Sequence, residues 1–501
     1  MLFIQNFPFF MMFLPMFCAI ACLLPMKGRV AKWLTLGCFA VVTVMSVVVL
    51  SHLLHTGESF VYALGHFPAP YGNEFRVGPL EAVMALLVSV VSLLCVAAGA
   101  DDIAFDLSFK KVKTYYLLQN VLTAAMLALM YANDFFTAYV FVEIITIASV
   151  ALVAAKPAGR TWTAALNYLF MGLVGSSLVL FSLSLLYGIT GHLHFEYIHA
   201  GILELVKTHS YLIPLSVAAV MIAIGLAIKS ALFPFHNWLP EAHGSSTTAA
   251  SSILSGLVLK SYLFLLIKMI LRVFGAEIMG QLHVPQMLMA FGVAAIVFGS
   301  WKAMHQRGLK RTLAYSSISQ IGYICIALGL NTPASVAAAC FHIIMHAVVK
   351  AMLFSSAGAL SAATHHRQDY DSLRGAFWRD PFAGSAFILG GLALVGIPPL
   401  AGFASKFNII LAALDTPFRG LVVIAIVVLG TVMGAMIYFP FIYTILTRDD
   451  DSPDEPARMR ISSRSKLSRL ALCIFMILTL ALGLFSAPVM RVIAQGLAVF
   501  G

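Results

Sequence analysis

Long apolar runs alternate with short polar segments along almost the whole of this chain. Each run has about 20 residues, enough for one helix to cross a hydrocarbon layer of about 30 Å. The ten-residue segments of alternating polarity that are typical of a membrane β-barrel are absent from the sequence. The pattern therefore predicts an all-α polytopic membrane protein with about fourteen transmembrane helices. The predicted spans are 5–25, 32–53, 79–100, 113–131, 134–155, 163–187, 212–235, 246–271, 284–301, 313–329, 334–360, 384–411, 420–446 and 468–487.

The composition agrees with a chain that is solvated mainly by lipid. Hydrophobic residues occupy 61% of the 501 positions and charged residues only 10%, against about 25% charged in ordinary soluble domains. The seven cysteines form no CxxC pair, so we predict no metal site, no iron–sulfur cluster and no other cofactor. The first span lacks a charged leader with a small-residue cleavage site, and we expect it to be retained as a helix.

The basic residues are distributed unevenly between the two sets of loops. Alternate loops, beginning with the loop between spans 1 and 2, carry 21 of the 31 Lys and Arg residues when the adjoining span ends are included, whereas the opposite loops carry four. By the positive-inside bias the basic loops are cytoplasmic, which predicts both termini outside. The net charge of +10 thus reflects topology and gives no reason to expect nucleic acid as a partner. We expect a multi-pass protein of the cell membrane.

Lysines also occur inside the predicted spans, where they are costly. Each would destabilise an inserted helix by about 2.5–3.5 kcal/mol at its centre, so that several together indicate a function. The only acidic residue deep within a span is Glu143. The lysines therefore cannot all be paired with a carboxylate, and some must be neutral, hydrated or served by histidine. These lysines are Lys229, Lys260, Lys350 and Lys406.

Charged residues near the span ends have simpler interpretations. We expect Lys268 and Arg491 to extend their side chains to the membrane surface, and Glu81 to be a helix-start or interface residue. The 447–467 loop is predicted to be a solvated connector, with a docking surface as the alternative. Its charged residues include Asp449, Asp450, Asp451, Asp454, Glu455, Arg458, Arg460 and Arg464.

Prolines interrupt two of the spans close to a lysine. Span 7 contains Lys229 followed by Pro234, and span 12 contains Pro398 and Pro399 followed by Lys406. Proline removes a backbone donor and clashes with the preceding turn, so each helix should be broken at membrane depth. Such breaks are tolerated where they are buried in protein or line a water-filled cavity. A structural kink is the alternative for the breaks taken alone.

The two breaks occur at corresponding positions of two groups of five spans. Because five is odd, two such groups in tandem must enter the membrane from opposite faces, which is the architecture of an inverted repeat with ion sites near the midplane. We therefore predict two inverted five-helix repeats with discontinuous helices 7 and 12. The predicted divisions are 1–112 with helices 1–3, 113–272 with the first repeat, 284–446 with the second repeat, and 447–501 with a cytoplasmic loop and helix 14.

Span 11 carries a file of titratable residues. His342, His346 and Lys350 are spaced at i, i+4 and i+8, so they lie on one helix face, about 6 Å apart per step and about 12 Å in total. One histidine would be read as a satisfied core residue. Three titratable groups in a file favour a proton relay, because histidine changes charge near neutral pH.

The buried charges can be joined into one mechanism. A buried ammonium is destabilised by desolvation and stabilised by a nearby carboxylate, so its proton affinity changes when the partner moves. Glu143 would hold Lys229 charged. When this pairing weakens, Lys229 would pass its proton to Lys260, then to the file on span 11, and finally to Lys406 and the far side.

The segment after the first break is a candidate proton entrance. His236, Glu241 and His243, together with Trp238, follow the broken helix on the side that is predicted to be cytoplasmic. The alternative is that these residues cap the helix and fix the loop.

Four motifs in the spans resemble a known family. They are K-x4-P-x-H-x-W-L-P-E-A-H in span 7, G-x3-K in span 8, F-H-x3-H-x3-K-A-x-L-F in span 11 and G-I-P-P-L-x-G-F-x-S-K in span 12. Together, over residues 79–446, they resemble the antiporter-like subunits of respiratory complex I (N, M and L types), of Mrp-type sodium/proton antiporters and of membrane-bound hydrogenases. The resemblance implies that Glu143, Lys229, Lys260 and Lys406 carry protons.

Particular residues indicate the closest types within that family. Lysine at 260, where other members have histidine, and lysine at 406, where some have glutamate, favour the D-type component of Mrp antiporters or the N-type component of complex I. The chain departs from the family at Ala231, at the proline-free 244–248 loop and at Glu81, where aspartate is common. After span 14 we expect no long lateral helix. The resemblance also implies other membrane subunits as partners, with protons and sodium as candidate ions, in a bacterial inner membrane.

The function predicted from the sequence is a proton-translocating subunit of a larger membrane complex. The chain contains no nucleotide fingerprint and no redox or hydrolytic site that we can identify, so redox chemistry or sodium exchange in partner subunits would drive the protons. The chain would then be an enzyme only as part of a proton-translocating oxidoreductase. The alternatives are a stand-alone secondary transporter of an organic solute and a structural membrane scaffold.

Overall fold

The computed structural model describes residues 2–364, 367–447 and 464–500, and these form helices with one small β-hairpin. The helices as far as the second π-helical segment are α1 Leu2–Gln5, α2 Phe7–Ala21, α3 Gly28–Thr56, α4 Pro79–Asp106, α5 Phe109–Tyr131, α6 Phe135–Val153, α7 Gly159–Thr190, α8 Phe195–Lys207, α9 Leu212–Lys229, α10 Trp238–Ser245, α11 Thr248–Ile253 and α12 Leu259–Lys268, with π-helical segments Leu254–Val258 and Met269–Phe274. The remaining helices are α13 Ala276–Gln281, α14 Val284–Met304, α15 Leu309–Leu330, α16 Pro333–Ala363, α17 Ala376–Arg379, α18 Pro381–Val395, α19 Ala401–Leu414, α20 Pro417–Leu446, α21 Lys466–Leu484 and α22 Ser486–Ala498.

Many of these helices are long and apolar enough to cross a membrane. Within the described residues, 11 helices meet this condition, and α2, α18 and α19 are shorter apolar helices. The polytopic helical membrane fold that the sequence predicts is thereby confirmed. The count of fourteen spans, the side of the termini and the division into repeats stay predictions. Of the charged residues named in the 447–467 loop, those from Asp449 to Arg460 lie outside the described residues.

Local sequence chemistry accounts for several helix boundaries. The Asp134 side chain accepts a hydrogen bond of 2.7 Å from the Thr137 amide and so caps α6, and Thr332 and Ser335 form a reciprocal capping box at the start of α16. Such caps satisfy amides that have no partner within the helix. At the other end of a helix, Gly191 adopts the left-handed conformation that terminates α7, as glycine commonly does after the last helical residue.

The centre of the bundle is formed by α16 and by the helix that runs from Thr248 to Phe274. Helix α16 contacts α4, α11, α15, α18, α19, α21 and α22. The most apolar stretches of both central helices are buried throughout, whereas those of α20 and α21 are largely exposed at the surface of the bundle. Polar side chains on the two central helices are therefore enclosed by protein and do not face lipid.

One end of the bundle carries a hairpin that the sequence analysis did not predict. Strand β1 (Phe60–Ala63) pairs antiparallel with β2 (Glu74–Val77), with Phe60 opposite Val77. The Asn133 amide, at the α5–α6 connection, donates to the Glu74 carbonyl at 3.3 Å, and β2 leads directly into α4. The positive-inside bias predicts that this end is outside, and we call it the outer end.

Three spans of the described part of the chain are irregular. Helix α9 ends at Lys229 and α10 begins at Trp238, so the structure has an interruption around Pro234. Helix α18 ends at Val395 and α19 begins at Ala401, which places a second interruption at Pro398 and Pro399. The third irregularity is the pair of π-helical segments that flank α12, in a span that the sequence analysis treated as one regular helix.

Candidate functional site

The first interruption is held in a defined shape by an aromatic anchor. The indole Nε1 of Trp238 donates to the Ile228 carbonyl at 3.2 Å, and its ring stacks on Tyr168 with centroids 4.2 Å apart. The start of α10 is thus tied to the last turn of α9. This contact fixes the end of α9, where Lys229 is the last helical residue.

Lys229 lies in a cluster of hydroxyl groups beside one carboxylate. Its Nζ donates to Thr146 Oγ1 at 2.7 Å and lies 3.5 Å from Glu143 Oε1. The same Glu143 oxygen accepts a hydrogen bond from Ser176, and Tyr262 Oη is 3.1 Å from Thr146 Oγ1. The ammonium is therefore held closely by a hydroxyl and more loosely by the carboxylate, so the ion pair can be changed without breaking the whole cluster.

The two partners of this ion pair differ in their access to the surroundings. The Lys229 side chain is 1% exposed, whereas that of Glu143 is 23% exposed. Glu143 therefore lies at the edge of the bundle, within reach of a neighbouring molecule. Lys229 is enclosed, so a change at the surface of the bundle can reach this lysine through Glu143.

Lys260 lies just after the first π-helical segment, which the structure places over Leu254–Val258. Its Nζ donates to the Ser255 carbonyl, five residues back in the chain. A π-helical turn interrupts the usual hydrogen-bond ladder and often marks a functional site. Lys260 interacts electrostatically with three groups on α16, namely His342, His346 and Lys350.

The two histidines of α16 face each other and connect to the second interruption. Their ring centroids are 6.1 Å apart, and His342 Nδ1 lies 2.8 Å from Ser405 Oγ, next to Lys406 in the chain. Both rings are fully buried, and neither nitrogen of His346 has a hydrogen-bond partner among the described residues. Buried polar atoms of this kind are normally hydrogen-bonded to water, so we expect ordered water beside the nitrogens of His346.

Lys350 turns away from the second interruption. Its Nζ donates to the Leu313 carbonyl at 2.7 Å and also to the Ser316 hydroxyl. Ser316 Oγ is in turn 2.8 Å from Tyr438 Oη. Lys350 is therefore connected to α15 and α20, and His342 is the member of the file that approaches α19.

Lys406 caps the first half of the second broken helix. Its Nζ donates to the Leu394 and Val395 carbonyls at 3.0 and 2.9 Å and to Thr431 Oγ1 at 3.2 Å. The last carbonyls of a helix carry partial negative charge, so the end of α18 takes the place of a carboxylate for this ammonium. Among the residues that the structure describes, Lys229 is the only one of the four predicted relay lysines with a salt bridge.

The three residues of the predicted proton entrance do not form one surface group. Glu241 is exposed and accepts a hydrogen bond of 2.7 Å from Asn167. His243 is fully buried and stacks on Phe354 with centroids 4.8 Å apart, and His236 is also buried. Of the three, only Glu241 can meet solvent directly. The assignment of these three residues to a proton entrance stays a prediction.

The prediction that the Lys268 side chain extends to the membrane surface is wrong. Its side chain is buried, and its Nζ donates to the carbonyls of Leu129, Met130 and Ala132 at 3.3, 2.5 and 3.1 Å. The ammonium thereby satisfies the C-terminal end of α5. Arg491, by contrast, is exposed on α22.

Neutral hydroxyl groups near the buried lysines were missed by the sequence analysis. They are Thr146, Ser176, Tyr262, Ser316, Ser405, Thr431 and Tyr438. The sequence could have predicted one of them. Thr146 follows Glu143 by three residues, and residues at i and i+3 share a helix face. The others contact groups on helices other than their own, so no spacing rule predicts these contacts.

A close backbone approach at the second interruption gives a testable prediction. A Cβ atom at Gly402 would lie 1.7 Å from the Ala393 carbonyl oxygen, so Gly402→Ala must push α18 and α19 apart. We expect a loss of roughly 1–3 kcal/mol or more in stability, visible as a lower unfolding temperature of the solubilised protein. The matched control is Gly188→Ala, because nothing lies within 4 Å of that Cβ position; equal unfolding temperatures of the two variants would contradict the close packing.

The fold and the site define an antiporter-like membrane subunit with two interrupted helices and a buried file of lysines and histidines. Residues 132–434 match the family described as NADH:quinone oxidoreductase/Mrp antiporter, transmembrane. This match covers more than half of the chain. The chain therefore belongs to that family of multi-pass membrane proteins.

Individual relatives match between two thirds and nearly all of the chain. NADH-quinone oxidoreductase subunit N of Desulforudis audaxviator is 28% identical over 98% of each chain. The D-type component of the Na(+)/H(+) antiporter of Alkalihalophilus pseudofirmus is 30% identical over 70% of this chain and 69% of its own.

Solved structures share the same fold at low sequence identity. A chain of the archaeal membrane-bound sulfane sulfur reductase has a TM-score of 0.87 at 24% identity, covering 99% of this chain and 97% of its own. A chain of the Mrp complex from Dietzia has a TM-score of 0.86 at 20% identity over the same shares. A chain of respiratory complex I from Thermus thermophilus has a TM-score of 0.74 at 24% identity, covering 96% of this chain and 98% of its own.

Proposed function

We propose that this chain is a proton-translocating subunit of a multi-subunit membrane complex. Protons move along the buried relay that is formed by Glu143, Lys229, Lys260, His342, His346, Lys350 and Lys406. The observation that carries the proposal is the enclosure of six amines and imidazoles by protein. Of these six groups, Lys229 alone has a salt bridge in the described part of the chain. Such groups are expensive in a membrane and are retained where they serve ion movement.

The first half of the relay begins at Glu143 and Lys229. While Glu143 is near, it stabilises the Lys229 ammonium against desolvation. When a neighbouring protein of the complex pulls Glu143 away, the ammonium loses this stabilisation and gives up its proton. The hydroxyls of Thr146 and Tyr262 lie next to Lys229, and Tyr262 is two residues from Lys260 in α12. This hydroxyl pair is the route by which the proton reaches Lys260.

The second half of the relay leads from Lys260 to Lys406 through the histidines. A proton on Lys260 repels charge on His342 and His346, which are both in electrostatic range. Transfer to His346 and then to His342 brings the proton beside Ser405, the neighbour of Lys406. The structure therefore favours His342 as the last step before Lys406, and Lys350 as a side branch toward α15.

The driving force comes from partner subunits. We infer this from the relatives, which include one component of an NADH-quinone oxidoreductase and one of a Na(+)/H(+) antiporter. Glu143 at the edge of the bundle is the residue through which a neighbour would act on the relay. The assembly would lie in the bacterial inner membrane, with either redox chemistry or sodium exchange as the coupled process.

One experiment on inverted membrane vesicles that contain the assembled complex distinguishes coupling to redox chemistry from coupling to sodium exchange. Proton movement is followed with a ΔpH-sensitive dye after addition of sodium chloride or of an electron donor. A sodium-dependent signal without donor identifies an antiporter assembly, and a donor-dependent signal without sodium identifies a redox pump. Absence of both signals, with the complex shown to be assembled, would contradict proton translocation.

A stand-alone transporter of an organic solute is less well supported by the cavities. Such a transporter needs a polar pocket near the midplane, beside the broken helices. A cavity of about 340 Å³ lies between the ends of α14 and α20, lined in part by Arg307, Asp371 and Phe441. None of its lining residues belongs to the relay or to either interruption, so this cavity does not favour a solute site.

A further inference from the structure

A second group of buried charges lies at the outer end, away from the residues of the relay. Glu81, in the first turn of α4, is 1% exposed and lies 3.5 Å from Arg76 of β2. It also interacts electrostatically with Lys268 and Arg272, from the end of the helix that carries Lys260. One enclosed carboxylate is thus surrounded by three cations that come from two different parts of the chain.

Lys268 connects this group to the relay along one helix. Lys260 and Lys268 are eight residues apart in α12, so they lie on nearly the same face with a rise of about 12 Å between them. Phe264 occupies the intermediate turn, and the Lys268 ammonium lies 5.3 Å from the centre of its ring. The path from Lys260 toward the outer end therefore passes one aromatic ring before it meets a second amine.

Buried polar atoms around Glu81 lack hydrogen-bond partners in the described part of the chain and are suited to bind water. Within the described part of the chain, both Glu81 oxygens, Tyr131 Oη, Arg272 Nη1, Asn133 Oδ1 and His194 Nδ1 are buried and have no protein hydrogen-bond partner. Several buried polar atoms in one region normally indicate ordered water. The outer end is thus suited to hold a short hydrated path.

A carboxylate–histidine pair continues the group toward the surface. Glu74 Oε1 lies 2.5 Å from His194 Nε2 and accepts a hydrogen bond of 2.6 Å from Asn133. Burial opposes the charged form of Glu74, yet the hydrogen bonds from His194 and Asn133 hold its pKa below the usual range. Glu74 is therefore an anion beside a histidine, and Arg272 is in electrostatic range of both Glu74 and Glu81.

The group is covered on the outside by the segment that follows α21. Arg76 donates to the Val499 carbonyl, and the Phe500 ring lies 5.6 Å from the Arg272 guanidinium. Phe500 also contacts Phe264, with ring centroids 6.3 Å apart. This cover shields the charges from bulk water.

We propose that Lys268, Glu81, Glu74 and His194 form an outer port, through which the relay exchanges protons with the outer side of the membrane from Lys260. The inference rests on the proposed function. In the outward direction, Lys268 gives a proton to the Glu81 carboxylate through water, and the neutral amine then takes a proton from Lys260. Glu81 passes its proton on to Glu74 and His194, which release it to the outside. Arg76 and Arg272 hold the carboxylates in place and keep them ionised between transfers.

A structural role for the same group makes a different prediction. If Lys268 served only to satisfy the end of α5, an arginine would replace it, because a guanidinium also donates to carbonyls and stays charged. If Lys268 carries protons, an arginine cannot replace it, since a guanidinium does not release its proton in proteins. The same logic applies to Glu81, where glutamine keeps the shape and aspartate keeps the titratable carboxyl.

The test measures proton movement by the assembled complex in inverted vesicles for Lys268→Arg, Glu81→Gln and Glu81→Asp. We expect Lys268→Arg and Glu81→Gln each to lower the rate by about tenfold or more, as for the loss of one acid–base group, and Glu81→Asp to restore most of it. The matched control is Glu204→Gln, which removes an exposed carboxylate from α8 that has no part in the port. Gel migration and unfolding temperature of the complex show that each variant is assembled.

Wild-type rates in Lys268→Arg and Glu81→Gln would overturn the outer port. Loss of transport in Glu81→Asp as well as in Glu81→Gln would also overturn it, because a titratable carboxyl at this position would then not support proton movement. Lys229→Ala, measured in parallel, separates this failure from failure of the relay. If Lys229→Ala stops transport while the port variants do not, the relay is supported and the outer port is contradicted. If no variant has an effect, the proposed function itself is wrong.

Discussion

Replacing Lys229 with alanine should almost abolish proton transport while leaving the complex assembled. The change removes the amine that faces Glu143 at 3.5 Å and with it the switch between the charged and neutral forms. No other amine or imidazole is seen next to Glu143 among the described hydrogen bonds and ion pairs. We expect a fall of about 100-fold or more in the initial rate of proton movement, which corresponds to about 2.7 kcal/mol on the barrier.

The experiment needs a control that separates transport from folding. Lys207→Ala is suitable, because Lys207 is exposed at the end of α8 and its loss removes a lysine outside the relay. Both variants should give the same yield of assembled complex. A Lys229→Ala variant that transports protons at the rate of Lys207→Ala would favour the scaffold interpretation and contradict the relay.

The interruptions could be predicted from the sequence because their cause is local. A proline inside a helix removes a backbone donor and clashes with the preceding turn, and the breaks at Pro234 and at Pro398–Pro399 lie where the prolines stand. Proline alone is not sufficient for a break, because Pro15 and Pro440 lie inside α2 and α20. The cost of an amine in lipid is also independent of fold. For this reason Lys229 and Lys406 could be selected as candidates before any contact was known, although their roles in transport stay predictions.

The position of Lys268 could not be predicted, because it depends on what covers the end of a span. Hydropathy places Lys268 near the end of its span, where a long side chain normally reaches water. In the structure that end is covered by the hairpin, by the α5–α6 connection and by Phe500. The same reason applies to His243, which a linear reading places in an exposed loop and which α10 carries into the bundle.

Hydrogen-bond partners of the relay lysines were the least predictable part of the site. The Ser255 carbonyl is available to Lys260 within a π-helical segment, and the apolar sequence of Leu254–Val258 shows no distinctive pattern for such a turn. Hydroxyl groups such as Thr146 and Ser405 are common and neutral in membrane helices. Only the packing of α6, α9, α16 and α19 reveals which of them lie beside a charge.

Replacing Lys260 with leucine should also stop transport, whereas histidine at this position should preserve it. Lys260 is the link between the two halves, because it interacts electrostatically with His342, His346 and Lys350. Leucine fills the space but cannot hold a proton, so the loss should again be about 100-fold or more. Histidine keeps a titratable nitrogen in the centre of the bundle.

The pair of substitutions distinguishes a relay from a structural core. Both variants lose the hydrogen bond from Lys260 to the Ser255 carbonyl, and both should therefore be destabilised to a similar extent in thermal unfolding. If transport depends on a titratable group at this position, Lys260→His retains a rate within about tenfold of the wild type and Lys260→Leu does not. If both variants transport alike, the protons bypass Lys260, and the connection between the two interrupted helices must run through other groups.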